Sequence, residues 1–274
     1  MDDYTKANLD WWNEAAIVHS QSQGDIYELA SFKAGMIKLH PLELEAVGDV
    51  AGKRLLHLQC HFGMDTLSWA RLGAKVTGID FSDKAIEIAQ SLSQELNLDA
   101  TFIQTELYNL PNVLDAAGTF DIVFTSYGAI GWLPDLLPWG RIIGHYLKPG
   151  GFFYIAEGHP FMWLLDEKSA DFKLRYPYFS KEPIKDEEQG TYAEKNAKLV
   201  HTTNYGWNHT FSEIFNSLIS AGLTINFLHE HPFCAWDPFP DMEEGEDRFI
   251  RFTDPQKREM IPLMFSLKAT KTAI

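Results

Sequence analysis

Between residues 54 and 157, short apolar runs alternate with amphipathic segments, and few folds satisfy that rhythm. The runs 54–58, 75–79, 101–103, 120–125 and 152–156 carry almost no polar alternation, as strands buried on both faces require. Between them, residues 66–72 read as a short helix stopped by Gly73, and residues 85–96 as a helix capped by Ser82 or Asp83. Residues 136–147 read as a third, ended by Lys148-Pro149-Gly150-Gly151. Short strands linked by helices at this pitch make a doubly wound, mostly parallel sheet with helices on both faces.

The rhythm has three interruptions. Residues 1–50 read as helices and predict a lid ahead of an α/β domain spanning 51–274. Residues 158–205 mix aromatics, charges and prolines without a period, and read as a cap inserted over the carboxyl edge of the sheet. A helix at 210–221 and a strand at 223–228 follow. Residues 230–259 then form a long connection of the kind usually kept for function, and a last strand falls at 262–268. That makes seven strands, with the acidic run 241–247 read as a solvated loop.

The formal charge of −15 opposes nucleic acid and anionic membranes as partners. Cys60 and Cys234 are too few for a disulfide framework. The acidic start of the chain lacks a signal-peptide pattern, and no apolar stretch reaches membrane-spanning length. These readings predict a cytoplasmic protein. No His, Cys and Asp grouping has metal-ligand spacing, so no metal is expected; His229 and His231 only stand two apart.

In an open parallel sheet, ligands bind beyond the carboxyl ends of the strands. The loop after the first strand, residues 59–66, runs into a helix start whose free N–H groups favour a negative group such as a cofactor carboxylate. Asp80 closes the second strand, where a carboxylate can accept hydrogen bonds from two ribose hydroxyls. Phe81, next to it, can pack on a purine.

Four segments in register carry a resemblance. Leu55 to Thr66, Val76-Thr77-Gly78-Ile79-Asp80-Phe81-Ser82, Phe120-Asp121-Ile122-Val123 and Leu147-Lys148-Pro149-Gly150-Gly151 resemble the successive motifs of class I S-adenosylmethionine-dependent methyltransferases. The resemblance covers residues 53–157 and, more weakly, 207–270. It implies an antiparallel last strand and S-adenosyl-L-methionine as cofactor. The chain departs from the pattern in its first loop. His57 stands where an acid is common, while Gln59 and His61 replace two glycines and leave only Gly63.

By resemblance, Phe81, Glu106 and Leu107 surround the adenine end. Leu58, Gln59, His61, Gly63 and Asp65 surround the methionine end, and Thr125, Ser126 and Tyr127 lie near the sulfonium. Trp11-Trp12-Asn13 resembles a segment that folds over the cofactor, with His19 in the same lid; Cys60 is expected to pack. The implied chemistry is in-line methyl transfer to a small-molecule acceptor, for which positioning is the main requirement. Candidate catalytic groups at strand ends are Tyr127, Glu157, His159 and His209, histidine being the side chain that titrates nearest neutrality. Two other readings share the sheet: a nicotinamide-dependent dehydrogenase, whose Gly-x-Gly-x-x-Gly turn Gln59 and His61 interrupt, and a non-catalytic binding protein.

Overall fold

A computed structural model describes residues 1–22, 24, 26–169 and 171–272. Seven strands form the main sheet: β1 (Arg54–Leu58), β2 (Lys75–Asp80), β3 (Ala100–Gln104), β4 (Phe120–Ser126), β5 (Leu147–Gly158), β6 (Leu223–His231) and β7 (Met264–Lys271). Their order is β3-β2-β1-β4-β5-β7-β6. The first five are parallel to one another, and β7 lies antiparallel between β5 and β6. This is the mostly parallel seven-stranded arrangement that the alternation and the resemblance predict.

Both faces are covered. On one, Leu56, Leu58, Val123, Phe153, Ile155 and Leu267 meet the helices α5 (Leu136–Tyr146) and α6 (Phe211–Ser220). The two helices approach closely at Gly140, where an added Cβ would stand 2.4 Å from the Ser217 carbonyl oxygen, so glycine is required there. A capping box between Thr210 and Glu213 starts α6. On the other face, Leu55, Phe124 and Tyr154 meet α2 (Pro41–Val47) and Trp69 of α3 (Met64–Arg71). Helix α4 (Asp83–Glu95) starts on Ser82, whose Oγ accepts the Ala85 N–H at 3.0 Å, and buries Ile86, Ala89 and Leu92 against Phe102.

The expected lid of residues 1–50 divides in two. Leu39, Val47 and Val50 are core residues of the α/β domain, because α2 buries its apolar side on the sheet. Among the described residues of that stretch, helix α1 (Asp3–Gln21) and Tyr27 lie across the carboxyl edge. The expected cap at 158–205 contains a hairpin, Ile184–Glu187 with Thr203–Gly206, that grips α1. Asn8 donates to the Tyr205 carbonyl at 2.8 Å and accepts the Tyr205 N–H at 2.7 Å, so one side-chain amide completes a backbone-like pair.

The long 230–259 connection is more ordered than its composition predicts. Strand β6 runs on to His231, and Met242–Glu244 pairs with Ile250–Phe252. The acidic run is therefore partly a strand, with Asp247 held by Arg251 and Glu243 by Arg258. Among the described residues no helix is long and apolar enough to cross a membrane.

Candidate active site

The loop after β1 keeps a backbone that glycine would adopt easily. Gln59, His61 and Gly63 have φ of 56°, 50° and 80°. The left-handed region costs a residue with a Cβ on the order of 1–2 kcal/mol, so something must hold it. Three contacts do. Gln59 Nε2 donates to the Ala129 carbonyl at 2.8 Å, Cys60 N–H donates to the Ile79 carbonyl at 2.8 Å, and His61 N–H donates to Asp80 Oδ2 at 2.8 Å. Below the loop, Gly63 sits on Phe102 and Ala89, with Phe102 only 2.7 Å from where a Cβ would stand.

Asp80 is buried, and its Oδ1 accepts the Ser82 N–H at 2.9 Å. Burial raises its carboxyl to about 6 against the opposing pull of those N–H donors. The Phe81 N–H also lowers the Asp80 pKa, and of the carboxylate's about four lone-pair sites some acceptor capacity remains. The Thr105 N–H donates to the Asp80 carbonyl at 2.8 Å, which brings Glu106 beside the acid. Glu106 is half-buried, and desolvation raises its pKa.

Asp65 opens a buried chain. Its Oδ2 accepts from Ser126 Oγ at 2.9 Å, Ser126 Oγ lies 3.3 Å from His57 Nε2, and His57 Nδ1 lies 2.8 Å from Thr66 Oγ1. Burial holds His57 at about 3, hence neutral, and raises Asp65. His57 was not among the site residues expected from sequence. Its departure from the usual acid was the available signal, and the pairing with Ser126 explains it.

Helix α1 closes over the loop. Trp11 stacks on Trp132 with centroids 5.8 Å apart, and Trp12 sets its edge against Trp132 and His61. Asn13 donates to Asp83 at 2.7 Å and accepts from Ser82 Oγ at 2.6 Å. His19 Nδ1 lies 3.0 Å from His61 Nε2 and 3.1 Å from the Tyr27 hydroxyl, which in turn meets Tyr192 of the cap. Burial holds His19 at about 3 and His61 well below its usual range.

The structure thus brings Trp11, Gln59, His61, Gly63, Asp80 and Glu106 to one end of the sheet, with Asp65 and Ser126 beside them. Phe81 is partly exposed, and its carbonyl accepts from Gln104. Leu58 and Leu107 turn their side chains into the core below α5, leaving only their backbone for the edge. Thr125 is fully buried, with an Oγ that has no described partner. Cys60 is buried packing, as expected.

The catalytic candidates need correction. Glu157 is not free to act on a substrate: its carboxylate accepts the N–H groups of Gly128, Ala129, Ile130 and Gly158 at 2.6–3.1 Å and staples the loop after β4. Nor is His159, whose Nε2 pairs with Glu230 at 2.8 Å while its Nδ1 accepts the Phe161 N–H. Tyr127 turns its hydroxyl towards Glu43, away from the aromatic lid. His209 alone lines a cleft, with Ile130, Gly158, Trp163 and Trp207, and its Nε2 bonds the Leu133 carbonyl at 2.8 Å. Among the described residues no group of His, Cys, Asp and Glu could hold a metal ion.

The cofactor fits these residues on two observations. Asp80 has unused acceptor capacity at the end of β2, and Gln59 Oε1 is buried beside the β4 end without a partner. Comparison with known proteins agrees. Residues 55–151 match the family described as methyltransferase domain. The ubiquinone biosynthesis O-methyltransferase of Nitrosococcus oceani is 32% identical over 142 residues, covering 50% of this chain and 59% of that protein. Its counterpart in Bordetella pertussis is 29% identical over 205 residues, covering 69% and 81%. An S-adenosylmethionine-dependent methyltransferase structure from Mesorhizobium loti superposes with a TM-score of 0.56 at 20% identity, over 87% of this chain and 99% of that one. With the strand order, the first-loop geometry and the acid at the end of β2, residues 55–151 carry a methyltransferase domain in a chain that is similar to the class I S-adenosylmethionine-dependent methyltransferases.

Proposed function

We propose that this protein moves a methyl group from S-adenosylmethionine to a small-molecule acceptor. The observation that carries the reading is the Asp80 carboxylate, held by the His61, Ser82 and Phe81 N–H groups at the end of β2 and retaining acceptor capacity for a ribose hydroxyl. When bound, the cofactor supplies an electrophilic methyl on its sulfonium. Asp80 would hold the ribose and Gln59 Oε1 would accept from the amine, while Trp11, Trp12 and Trp132 would exclude water and offer aromatic faces to the cation. Phe81 and Glu106 would flank the purine, with Thr125 and Ser126 at the end of β4 towards the reacting end.

The acceptor enters at the cleft beside Trp163, Trp207 and His209. His209 is held by the Leu133 and Ile130 backbone with Glu213 4.0 Å from its Nδ1, and burial lowers its pKa, so the neutral ring is the base nearest this cleft. Relatives named O-methyltransferases favour a hydroxyl oxygen as the accepting atom. A net charge of −15 supports a neutral or cationic small molecule over nucleic acid, and two free buried cysteines suit the cytoplasm. The test is calorimetry with S-adenosylhomocysteine and with NADH. Binding of the first alone supports the reading, and binding of NADH alone overturns it.

A further inference from the structure

Helix α1 is tied to the cap in one way and to the α/β domain in another. Towards the cap its partners are chiefly main-chain groups. Asn8, 2% exposed, exchanges its two hydrogen bonds with the Tyr205 backbone. The Glu14 carboxylate accepts the Val200 N–H at 2.7 Å and lies 2.5 Å from His201 Nδ1. Trp11 and Ala15 pack with Leu199 in an apolar cluster separate from the cores on the two faces of the sheet. At either end, Tyr4 stands against the rings of Tyr205 and Trp207, and Ser22 Oγ donates to Glu194 at 2.6 Å. Pulling α1 off the cap would strand buried polar groups that have no other partner at hand.

The ties to the α/β domain run from side chain to side chain, over the carboxyl edge of the sheet. Asn13 meets Ser82 Oγ and Asp83, His19 meets His61, and the rings of Trp11 and Trp12 meet Trp132. Asp83 is half exposed, so water can take the place of Asn13 there. Asp80 below is 7% exposed, so a nucleoside reaches its carboxylate only when these contacts open. The hairpin rejoins the domain at Trp207, whose N–H donates to the Gly131 carbonyl at 2.8 Å and whose ring lines the cleft beside His209.

We infer that α1 and the hairpin Ile184–Glu187 with Thr203–Gly206 move as one body, latched by Asn13 and pivoting at Trp207. One movement then governs two sites. Opening to admit the cofactor withdraws Tyr4 from the Trp207 ring and loosens the wall of the acceptor cleft, so that cleft is complete only once the cofactor is enclosed. Binding is therefore ordered, cofactor before acceptor. The inference rests on the methyl-transfer reading for the two ligands and not for the coupled movement.

The test is hydrogen–deuterium exchange read by mass spectrometry on the whole chain, wild type and Asn13→Ala. Loss of the latch should speed exchange in α1 and in residues 203–206 by the same factor, about tenfold, the scale of a lost hydrogen bond, with β1 and β4 unchanged. A rise confined to α1, or no rise in either segment, overturns the inference. In the wild type, S-adenosylhomocysteine should slow exchange in α1 and in residues 203–207 together, and protection of α1 alone overturns the ordering. Calorimetry on Asn8→Cys/Tyr205→Cys, bridged by a short reversible thiol cross-linker, decides the matter even if Asn13→Ala does not fold; Cys60 and Cys234 are buried and do not compete. Parts that never separate tolerate the bridge, so affinity for S-adenosylhomocysteine should stay within about twofold. Binding lost on bridging and restored on reversal shows that they must part, and overturns the inference. If the wild type does not bind S-adenosylhomocysteine, the methyl-transfer reading fails, and the Asn13→Ala exchange still decides the coupled movement.

Discussion

The His61 N–H donates to Asp80 Oδ2 at 2.8 Å, so the acid at the end of β2 both shapes the loop after β1 and faces the space above it. A residue that replaces glycine keeps a left-handed backbone because a neighbouring strand supplies the acceptor. Loop geometry and, in the proposed reading, ribose recognition therefore depend on one carboxylate.

Replacing that carboxylate tests the dependence. Asp80→Ala is expected to weaken S-adenosylhomocysteine binding by about 1.5–3 kcal/mol, the scale of a hydrogen bond to a charged group. Calorimetric titration reads it. An unchanged dissociation constant would show that the ribose lies elsewhere.

The staple at Glu157 makes a different prediction. Glu157→Ala leaves the N–H groups of Gly128, Ala129 and Ile130 without their acceptor. At about 1–3 kcal/mol for each buried donor left unpaired, the variant should lose about 3 kcal/mol or more in urea unfolding. A loss of turnover with full stability would restore Glu157 as a catalytic group.

Gly63→Ala meets two obstacles at once. The backbone is left-handed at φ 80°, and the new methyl would stand 2.7 Å from Phe102. Strain and overpacking together should cost about 2–4 kcal/mol, measured by denaturant midpoint. The double variant Gly63→Ala/Phe102→Leu should recover part of that loss, because the smaller side chain yields space.

Glu43 gives the stability curve a definite slope. Its carboxyl is raised from the ordinary range near 4.5 to about 8. Within that window the folded chain binds more protons than the unfolded one, so stability falls as pH rises. Below the lower value the penalty is absent, and above the upper one it is complete. Glu43→Gln removes the slope. Its melting temperature should match the wild type near pH 4 and exceed it at pH 8.

Much of the architecture was legible along the chain. Five apolar runs, Gly73 after its helix and Ser82 before the next gave the parallel sheet, because those signals are local. Asp80 was found by its place after β2. Ser82 does two jobs the sequence could not separate, capping α4 and receiving Asn13 of the lid. The left-handed loop without glycines was not legible, since its support comes from Asp80 and Ala129, distant in sequence. Glu157 misled for the same reason: an acid at a strand end looks poised for chemistry until the N–H groups of another loop are seen around it.

Strand β7 lies between β5 and β6, not at a margin of the sheet, although it follows both in the chain. During synthesis, β5 must wait for β7 to leave the ribosome before its outer side is paired. Until then an unprotected row of amide groups stands open to other chains. Premature termination near residue 260 would therefore release a sticky intermediate rather than a folded sheet, and chaperone demand should stay high until β7 has emerged.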